Sequence, residues 1–361
     1  MGIFRFILAC FVAFEHILLE LNFQDIRPFW SLDAKLAVLT FFVISGFIIS
    51  LSLNKNYFLG GNYFKQSCYY YINRLLRVYP LYILSIIFFY IDLAFLNVIN
   101  SKDLILLNKT QFLDYNFILL NIFLIFQYSF YNLNLVNTVA WSLDIELQWY
   151  LIAPVIYYFF YLKFKLIYLR IVIYILSLLL LYALNQILEI KSYLFEYGSY
   201  FIWGILLYDL FTIYQIKVRN FFRTDLLFFI AAILITSFLF FDLDFLSYFY
   251  WVGVGLICFT VNFKNKIDKF FGDLSYPIFI LHMSILPIIF LQVNKYFLLV
   301  FNIKIYESFI LIFMISLMIF AGFCYTILII FQYPLDKYRD KLKPVKVSNK
   351  KNESSVKMKS K

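Results

Sequence analysis

Long apolar runs recur along this chain at lengths that predict membrane-spanning helices. Each run is close to the ~20 residues that an α-helix needs to cross the hydrocarbon core of a bilayer. We predict ten of them, at about residues 3–21, 36–53, 78–98, 139–162, 171–188, 196–214, 225–241, 245–262, 275–293 and 306–332. The stretch 117–131 is apolar but short and lies among Asn and Gln residues, so we assign it as re-entrant or interfacial. The pattern indicates an all-α polytopic membrane bundle.

Positive charge is concentrated on one side of these predicted spans. With ten spans and a cytoplasmic N-terminus, 24 of the 31 Lys and Arg residues fall in cytoplasmic segments. Because positively charged segments stay in the cytoplasm, both termini are predicted to be cytoplasmic. Glu15 and His16 interrupt the first run, which favours a retained span over a cleaved signal peptide. We predict a membrane-embedded domain over residues 1–340 and a disordered, lysine-rich cytoplasmic tail over 341–361.

Composition agrees with a membrane protein and excludes several other classes. The 361 residues are 64% hydrophobic, 23% aromatic and 14% charged, and soluble domains do not have that balance. The net charge of +10 is spread over short loops and the tail, so we expect no nucleic-acid partner. The four cysteines form no C-x-x-C pair, and no His, Cys or carboxylate spacing fits a metal, so we expect neither a disulfide framework nor a metal site.

The first run carries polar residues that a lipid-facing helix would avoid. An ionisable residue within a membrane is costly, so it marks a functional site by default. Arg5 and His16 lie eleven residues apart, nearly three whole turns, so they share one helix face and are separated by roughly 16 Å along the axis. Ala9, Val12 and Ala13 lie between them on that face. The alternative is an arginine that reaches the headgroups and a histidine that hydrogen-bonds a neighbouring helix.

The next two candidate motifs each have a structural alternative. Ser45 and Gly46 lie side by side in the second run, a pattern typical of close helix packing. Arg74 and Arg77 are three residues apart just before the third run and share a helix face. Two guanidiniums placed in that way can bind a phosphate bidentately, or they can serve as anchors that fix the topology.

The fourth run opens with Trp141-Ser142-Leu143-Asp144-Ile145-Glu146 and so places two carboxylates in the first turns of a span. We expect His16 to reach the same level, where a carboxylate would orient the imidazole as a general base. Ser142 and Glu146 are spaced i,i+4, so a local hydrogen bond is the structural alternative for Glu146. The ninth run opens with Gly272-Asp273-Leu274-Ser275-Tyr276-Pro277 and reaches His282, which is either functional or satisfied by a bond to another helix.

Together these motifs resemble the acyltransferase-3 family of bacterial membrane O-acyltransferases. The resemblance covers about residues 1–340 and rests on five motifs in the family's order: Arg and His with ten residues between them in the first run, Phe41-Phe42-Val43-Ile44-Ser45-Gly46-Phe47, Arg74-Leu75-Leu76-Arg77-Val78-Tyr79-Pro80, Trp141-Ser142-Leu143 with Glu146 to Pro154, and Ser275-Tyr276 with His282. Three positions depart from the usual pattern. Leu39 stands where many members carry Asp, Leu147 replaces a second Glu, and Gln332-Tyr333-Pro334 replaces a common Glu-basic-Pro.

The resemblance implies an activity and a location. A ten-helix core in the bacterial cytoplasmic (inner) membrane would take an acyl group, usually acetyl, from cytoplasmic acyl-coenzyme A (acyl-CoA). It would transfer that group to a hydroxyl of an extracytoplasmic glycan or lipid-linked sugar. Acyl-CoA is then the donor substrate, and no permanently bound cofactor is expected.

The resemblance also implies roles for individual residues. His16, with Glu146, is assigned to catalysis, and Arg5, Arg74 and Arg77 are assigned to the anionic donor. The remaining candidates are expected to line the substrate cavity: Ser45, Gly46, Trp141, Ser142, Asp144, Tyr276 and His282.

Two alternative functions remain open from the sequence. One is a carrier that moves a lipid-linked sugar or acyl group without making a covalent bond, since polar residues within spans also suit transporters. The other is the same acyl-transfer machinery acting on peptidoglycan or a small molecule, because the short outer loops carry no motif that identifies the acceptor. Breakdown of the donor thioester would distinguish an enzyme from a carrier.

Overall fold

The computed structural model describes residues 1–20, 33–58, 62–92, 115–124, 135–159, 169–177, 193–217, 251, 253–255, 257–258, 266–301 and 305–341. These residues form helices and short turns, and none of them lies in a β-strand. The main helices are α1 (Gly2–Glu20), α2 (Ala34–Ser52), α3 (Tyr63–Ile91), α4 (Tyr115–Phe123), α5 (Trp141–Tyr157), α6 (Tyr193–Lys217), α7 (Lys266–Phe301), α8 (Ile305–Ile327) and α9 (Tyr333–Lys341). The all-α prediction is confirmed for this part of the chain.

Several of these helices are long and apolar enough to cross a membrane. Within the described residues there are five such candidates: Gly2–Glu20, Ala34–Tyr57, Tyr63–Ile91, Lys266–Phe301 and Ser308–Lys341. They correspond to the predicted first, second, third, ninth and tenth spans, and they show an integral membrane protein. The predicted span 225–241 and the tail beyond residue 341 lie outside the described residues, as do parts of 171–188 and 245–262. The count of ten spans and the cytoplasmic position of both termini therefore stay predictions.

Helix α3 begins well before the predicted third span. The side chain of Asn62 accepts a hydrogen bond from the backbone N–H of Lys65 at 3.1 Å, and such a cap stabilises a helix start. As a result, Arg74 and Arg77 lie on one continuous helix with the membrane-spanning part. Helix α4 covers nine residues, or about 14 Å, which is too short to cross a bilayer. That length agrees with the re-entrant or interfacial assignment of this stretch, although residues 125–131 lie outside the described part of the chain.

Helices α1 and α7 pack side by side and run parallel. Their contacts follow the same order along both helices: the Met1 ammonium with Asp268 at 3.1 Å, Phe6 with Phe271 at a ring-centroid distance of 4.8 Å, and His16 with His282 at 5.2 Å. Close approach at the Met1 end requires glycine, because a Cβ on Gly2 would lie 1.7 Å from the carbonyl oxygen of Asp268. Residues of α1 and α7 at matching positions therefore lie at the same depth.

Helices α2 and α6 cross with their backbones in contact. A Cβ added to Gly204 would lie 2.1 Å from the carbonyl oxygen of Val43, and one added to Gly46 would lie 2.2 Å from that of Phe201. Small residues at such crossings let two membrane helices approach closely. Gly46 therefore has the packing role that was the alternative at this position, and its place in a substrate cavity stays a prediction.

We expect Gly204→Ala to destabilise the protein by about 1–3 kcal/mol, the usual cost of over-packing a tight contact. The clash is with backbone, which cannot rotate away, so α2 and α6 must separate. Thermal unfolding of the detergent-purified protein measures the change. Gly322→Ala on α8 is the matched control, because no described atom lies within 4 Å of the position that its new Cβ would take. That variant should be as stable as the parent or slightly more stable, since alanine favours helix; equal melting of both variants would contradict the prediction.

Candidate active site

The candidate residues of α1 lie at two depths of the α1–α7 pair. Arg5 interacts electrostatically with Asp273 of α7, and the ring of His16 lies against that of His282. Three small residues lie between them on this face and are fully buried: Ala9, Val12 and Ala13. Arg5 and His16 are both half-buried and both face the bundle interior. The structure therefore agrees with the shared helix face that the eleven-residue spacing predicts, about 16 Å in length.

At the depth of Arg5, Arg74 lies over two aromatic rings that are perpendicular to each other. Its guanidinium carbon lies 5.2 Å from the ring centroid of Tyr70 and 5.1 Å from that of Tyr150. The residue is 5% exposed, and its Nε has no hydrogen-bond partner among the described residues. Aromatic faces stabilise a cation and fix the plane of a guanidinium. This arrangement holds the positive charge in place and leaves N–H groups to bind an anion.

Glu146 of α5 interacts with residues of three other helices, α1, α2 and α3. Its Oε1 accepts a hydrogen bond from the Ser45 hydroxyl of α2 at 3.0 Å and another from the Tyr150 hydroxyl one turn along α5. The carboxylate also interacts electrostatically with Arg5 and Arg74. Because Tyr150 bonds Glu146 and stacks on Arg74, it fixes the carboxylate and the guanidinium relative to each other.

Arg77 completes this group on α3. It is half-buried and interacts electrostatically with Arg5 and with Tyr276. The Tyr276 hydroxyl donates a hydrogen bond to the carbonyl oxygen of Val78 at 2.8 Å, which ties α7 to α3 beside Arg77. We call Arg5, Arg74 and Arg77 the arginine cluster. Glu146 and Asp273 interact with this cluster, and guanidiniums grouped in this way favour an anionic ligand.

Helix α9 adds a fourth guanidinium, which the sequence analysis missed. The Nε and Nη2 atoms of Arg339 donate to Oδ1 of Asn73 at 3.1 and 3.0 Å, and Nδ2 of Asn73 donates back to the Arg339 carbonyl at 3.1 Å. Arg339 also pairs with Asp336 and interacts electrostatically with Arg74 and Arg77. Basic residues are frequent near the C-terminus, so no signal in the sequence distinguished this one.

The other predicted cavity residues of α5 have structural partners. The ring of Trp141 packs against Phe42 and Tyr197 at centroid distances of 6.0 and 5.2 Å. Asp144 is fully buried and accepts a hydrogen bond from Nε2 of Gln148 at 2.8 Å. Neither of these contacts involves the arginine cluster.

Ser142 donates to the carbonyl oxygen of Val139 at 3.0 Å. The Ser142 hydroxyl therefore does not form the local hydrogen bond to Glu146 that was the structural alternative.

Among the described residues, His16 forms no hydrogen bond or ion pair with a carboxylate, so the expected pair with Glu146 is not formed. Asn137, just before α5, donates to the carbonyl oxygen of Ile280 at 2.8 Å and so lies near the depth of His282. Nine residues of helix then carry Glu146 about 13 Å away from that depth. Glu146 consequently lies with the arginine cluster. This correction follows from where α5 begins relative to its neighbours, which the sequence does not reveal.

The imidazole ring of His282 lies beside the imidazole ring of His16. It is 1% exposed, and its Nδ1 lies 2.8 Å from the carbonyl oxygen of Phe279 and 3.3 Å from that of Ile278. Its Nε2 is buried and has no hydrogen-bond partner in the described part of the chain. The intrahelical bond therefore satisfies one ring nitrogen and leaves the other open. We call His16 and His282 the histidine pair.

Comparison with known proteins adds one finding. A family model described as an acyltransferase domain matches residues 1–331. The match covers the arginine cluster and the histidine pair and ends before α9. No curated protein and no solved structure matches the chain.

Proposed function

Because the chain belongs to the acyltransferase-3 family, we propose that this membrane acyltransferase moves an acetyl group from cytoplasmic acyl-CoA to a hydroxyl of an extracytoplasmic glycan. The acceptor class is a capsule, a lipopolysaccharide O-unit or an exopolysaccharide, and the membrane is the bacterial cytoplasmic membrane. One observation carries the proposal. Arg5, which belongs to the arginine cluster, and His16 lie on one face of α1, at depths about 16 Å apart.

The donor fits this arrangement in its charge distribution. Acyl-CoA has its phosphates at one end and its reactive thioester at the other end of a flexible chain. Guanidiniums bind phosphates bidentately, and the contacts of Arg74 with two aromatic rings keep its guanidinium in place for such a contact. With the phosphates at the arginine cluster, the thioester would extend along α1 towards His16. In this arrangement Tyr150 and Glu146 keep the Arg74 guanidinium in position to bind the donor. We therefore assign Glu146 to the donor-binding site and not to proton transfer.

His16 supplies the proton chemistry in this proposal. Its imidazole removes the proton of the acceptor hydroxyl, and the hydroxyl oxygen attacks the thioester carbonyl carbon. The carbon–sulfur bond breaks, and the thiolate of coenzyme A takes the proton from the imidazolium. One ester and one free thiol form for each thioester consumed, and the histidine returns to its starting state.

Reconstitution in liposomes tests the proposal. Acetyl-CoA is supplied on one side and a glycan acceptor on the other, and both free thiol and ester-linked acetate are measured. We expect thiol release that depends on the acceptor, with matching acetate on the glycan. Release that occurs only with peptidoglycan fragments or a small molecule would move the acceptor to that class. Binding without any loss of thioester would contradict the proposal and favour a carrier.

A further inference from the structure

His282 has an open acceptor nitrogen, and its ring lies beside that of His16. The two atoms near its Nδ1 are carbonyl oxygens, which only accept, so Nδ1 carries a proton and donates. In the neutral ring Nε2 then holds a lone pair and acts as an acceptor. The backbone of α7 thus fixes the tautomer of His282, independently of anything bound nearby.

This acceptor is buried and unsatisfied, which needs an explanation. A buried polar group without a partner is costly, and native proteins contain few of them. Within the described residues Nε2 of His282 has no partner, while the ring of His16 lies at a centroid distance of 5.2 Å with an interplanar angle of 40°. A ring-to-ring hydrogen bond of about 2.9 Å, added to the two ring radii, gives a centroid separation of this order. The separation therefore suits an N–H···N bond, and only the ring orientation must change.

We propose that His282 is a positioning residue for acyl transfer, whose Nε2 accepts a hydrogen bond from His16. That bond places the proton of neutral His16 on the nitrogen facing His282 and leaves the lone pair of the other nitrogen for the acceptor hydroxyl. When His16 takes up a proton, the same bond stabilises the imidazolium. Catalytic hydrogen bonds are often poorly aligned without substrate and tighten in the reactive complex. The inference rests on the proposed function for its reaction step.

A histidine suits this position better than a carboxylate. The orienting group of a catalytic histidine is often an aspartate, which must stay ionised. An isolated carboxylate is costly within a membrane bundle, whereas a neutral imidazole is much less so. Because Nδ1 of His282 is fixed to the Phe279 carbonyl, the ring offers a defined acceptor without a charge.

Two substitutions at this position separate orientation from packing. His282→Asn keeps an amide N–H near the Nδ1 position, which can still donate to Phe279, but places nothing at the Nε2 position. His282→Gln places its amide oxygen near the Nε2 position. We expect Asn to lower kcat by about 10- to 100-fold, as loss of a group that orients a functional histidine does, with the KM for acyl-CoA unchanged. Gln should recover most of that loss; equal activity of the two variants, high or low, would overturn the proposal.

A spectroscopic measurement provides a readout that does not depend on activity. The chain contains two histidines, so ¹⁵N-histidine labelling of the purified, His-tag-free protein in nanodiscs reports this pair alone. In the parent protein we expect one tautomer for each ring, and in His282→Asn a mixture of tautomers for His16. An unchanged His16 tautomer in that variant would overturn the proposal. If the parent protein releases no thiol with any acceptor, the proposed function is wrong. The tautomer measurement still tests the hydrogen bond between His16 and His282 in that case.

Discussion

His16→Ala should lower the rate of acyl transfer by about 10²- to 10⁴-fold, the range lost when a general base is removed. The expectation follows from position, because His16 is half-buried, faces α7 and lies about 16 Å along α1 from Arg5. The donor contacts remain in the variant, so the KM for acyl-CoA should change little while kcat falls. Thiol release by reconstituted protein and ester-linked acetate on the glycan measure the two halves of the reaction.

The control for this substitution is Leu19→Ala, one turn further along α1. Leu19 is 44% exposed on the outer side of the helix, so its truncation removes a side chain at similar depth without touching the histidine pair. It should retain parental activity. Normal transfer by a correctly inserted His16→Ala protein would exclude His16 as the base and leave the arginine cluster without an assigned reaction.

The features that depend on one helix alone could be predicted from the sequence. Eleven residues make nearly three turns of any α-helix, so the shared face of Arg5 and His16 follows from helix geometry. The spacing of Arg74 and Arg77 places them on a common face in the same way. Both predictions needed no knowledge of neighbouring helices, and the structure agrees with both.

The features that depend on contacts between helices could not be predicted. His16 meets His282 because α1 and α7 run parallel in register, and that register is set by contacts at the Met1 end, 267 positions apart in sequence. Glu146 was placed at the wrong depth because the start of α5 decides how far the helix carries it. Arg339 reaches the cluster only because α9 packs against α3 at Asn73.

We expect Arg74→Met to raise the KM for acyl-CoA by roughly 100-fold or more. A hydrogen bond to a charged group contributes about 1.5–3 kcal/mol, and a bidentate phosphate contact contains two of them. Methionine keeps the length and the apolar contact with Tyr70 and Tyr150, so the site retains its packing. Arg74→Lys retains the charge but not the planar fork, and its KM should lie between those of the parent and the methionine variant. Initial rates over a range of acyl-CoA concentrations measure these constants.

The donor can be truncated as well as the protein, and this separates a phosphate contact from a structural role. Acetyl-pantetheine carries the thioester without the phosphates. If Arg74 binds phosphate, the parent protein should use acetyl-pantetheine at least as poorly as Arg74→Met uses acyl-CoA, and the methionine substitution should have little further effect on the truncated donor. Lys65→Met is the matched control, because Lys65 also lies over a tyrosine ring of α3, at 5.7 Å from Tyr69, but is exposed. Lys65→Met should leave the KM for acyl-CoA and the KM for acetyl-pantetheine unchanged. Equal loss with both donors in Arg74→Met would instead show that the stacked guanidinium supports the fold of this region and does not bind the donor.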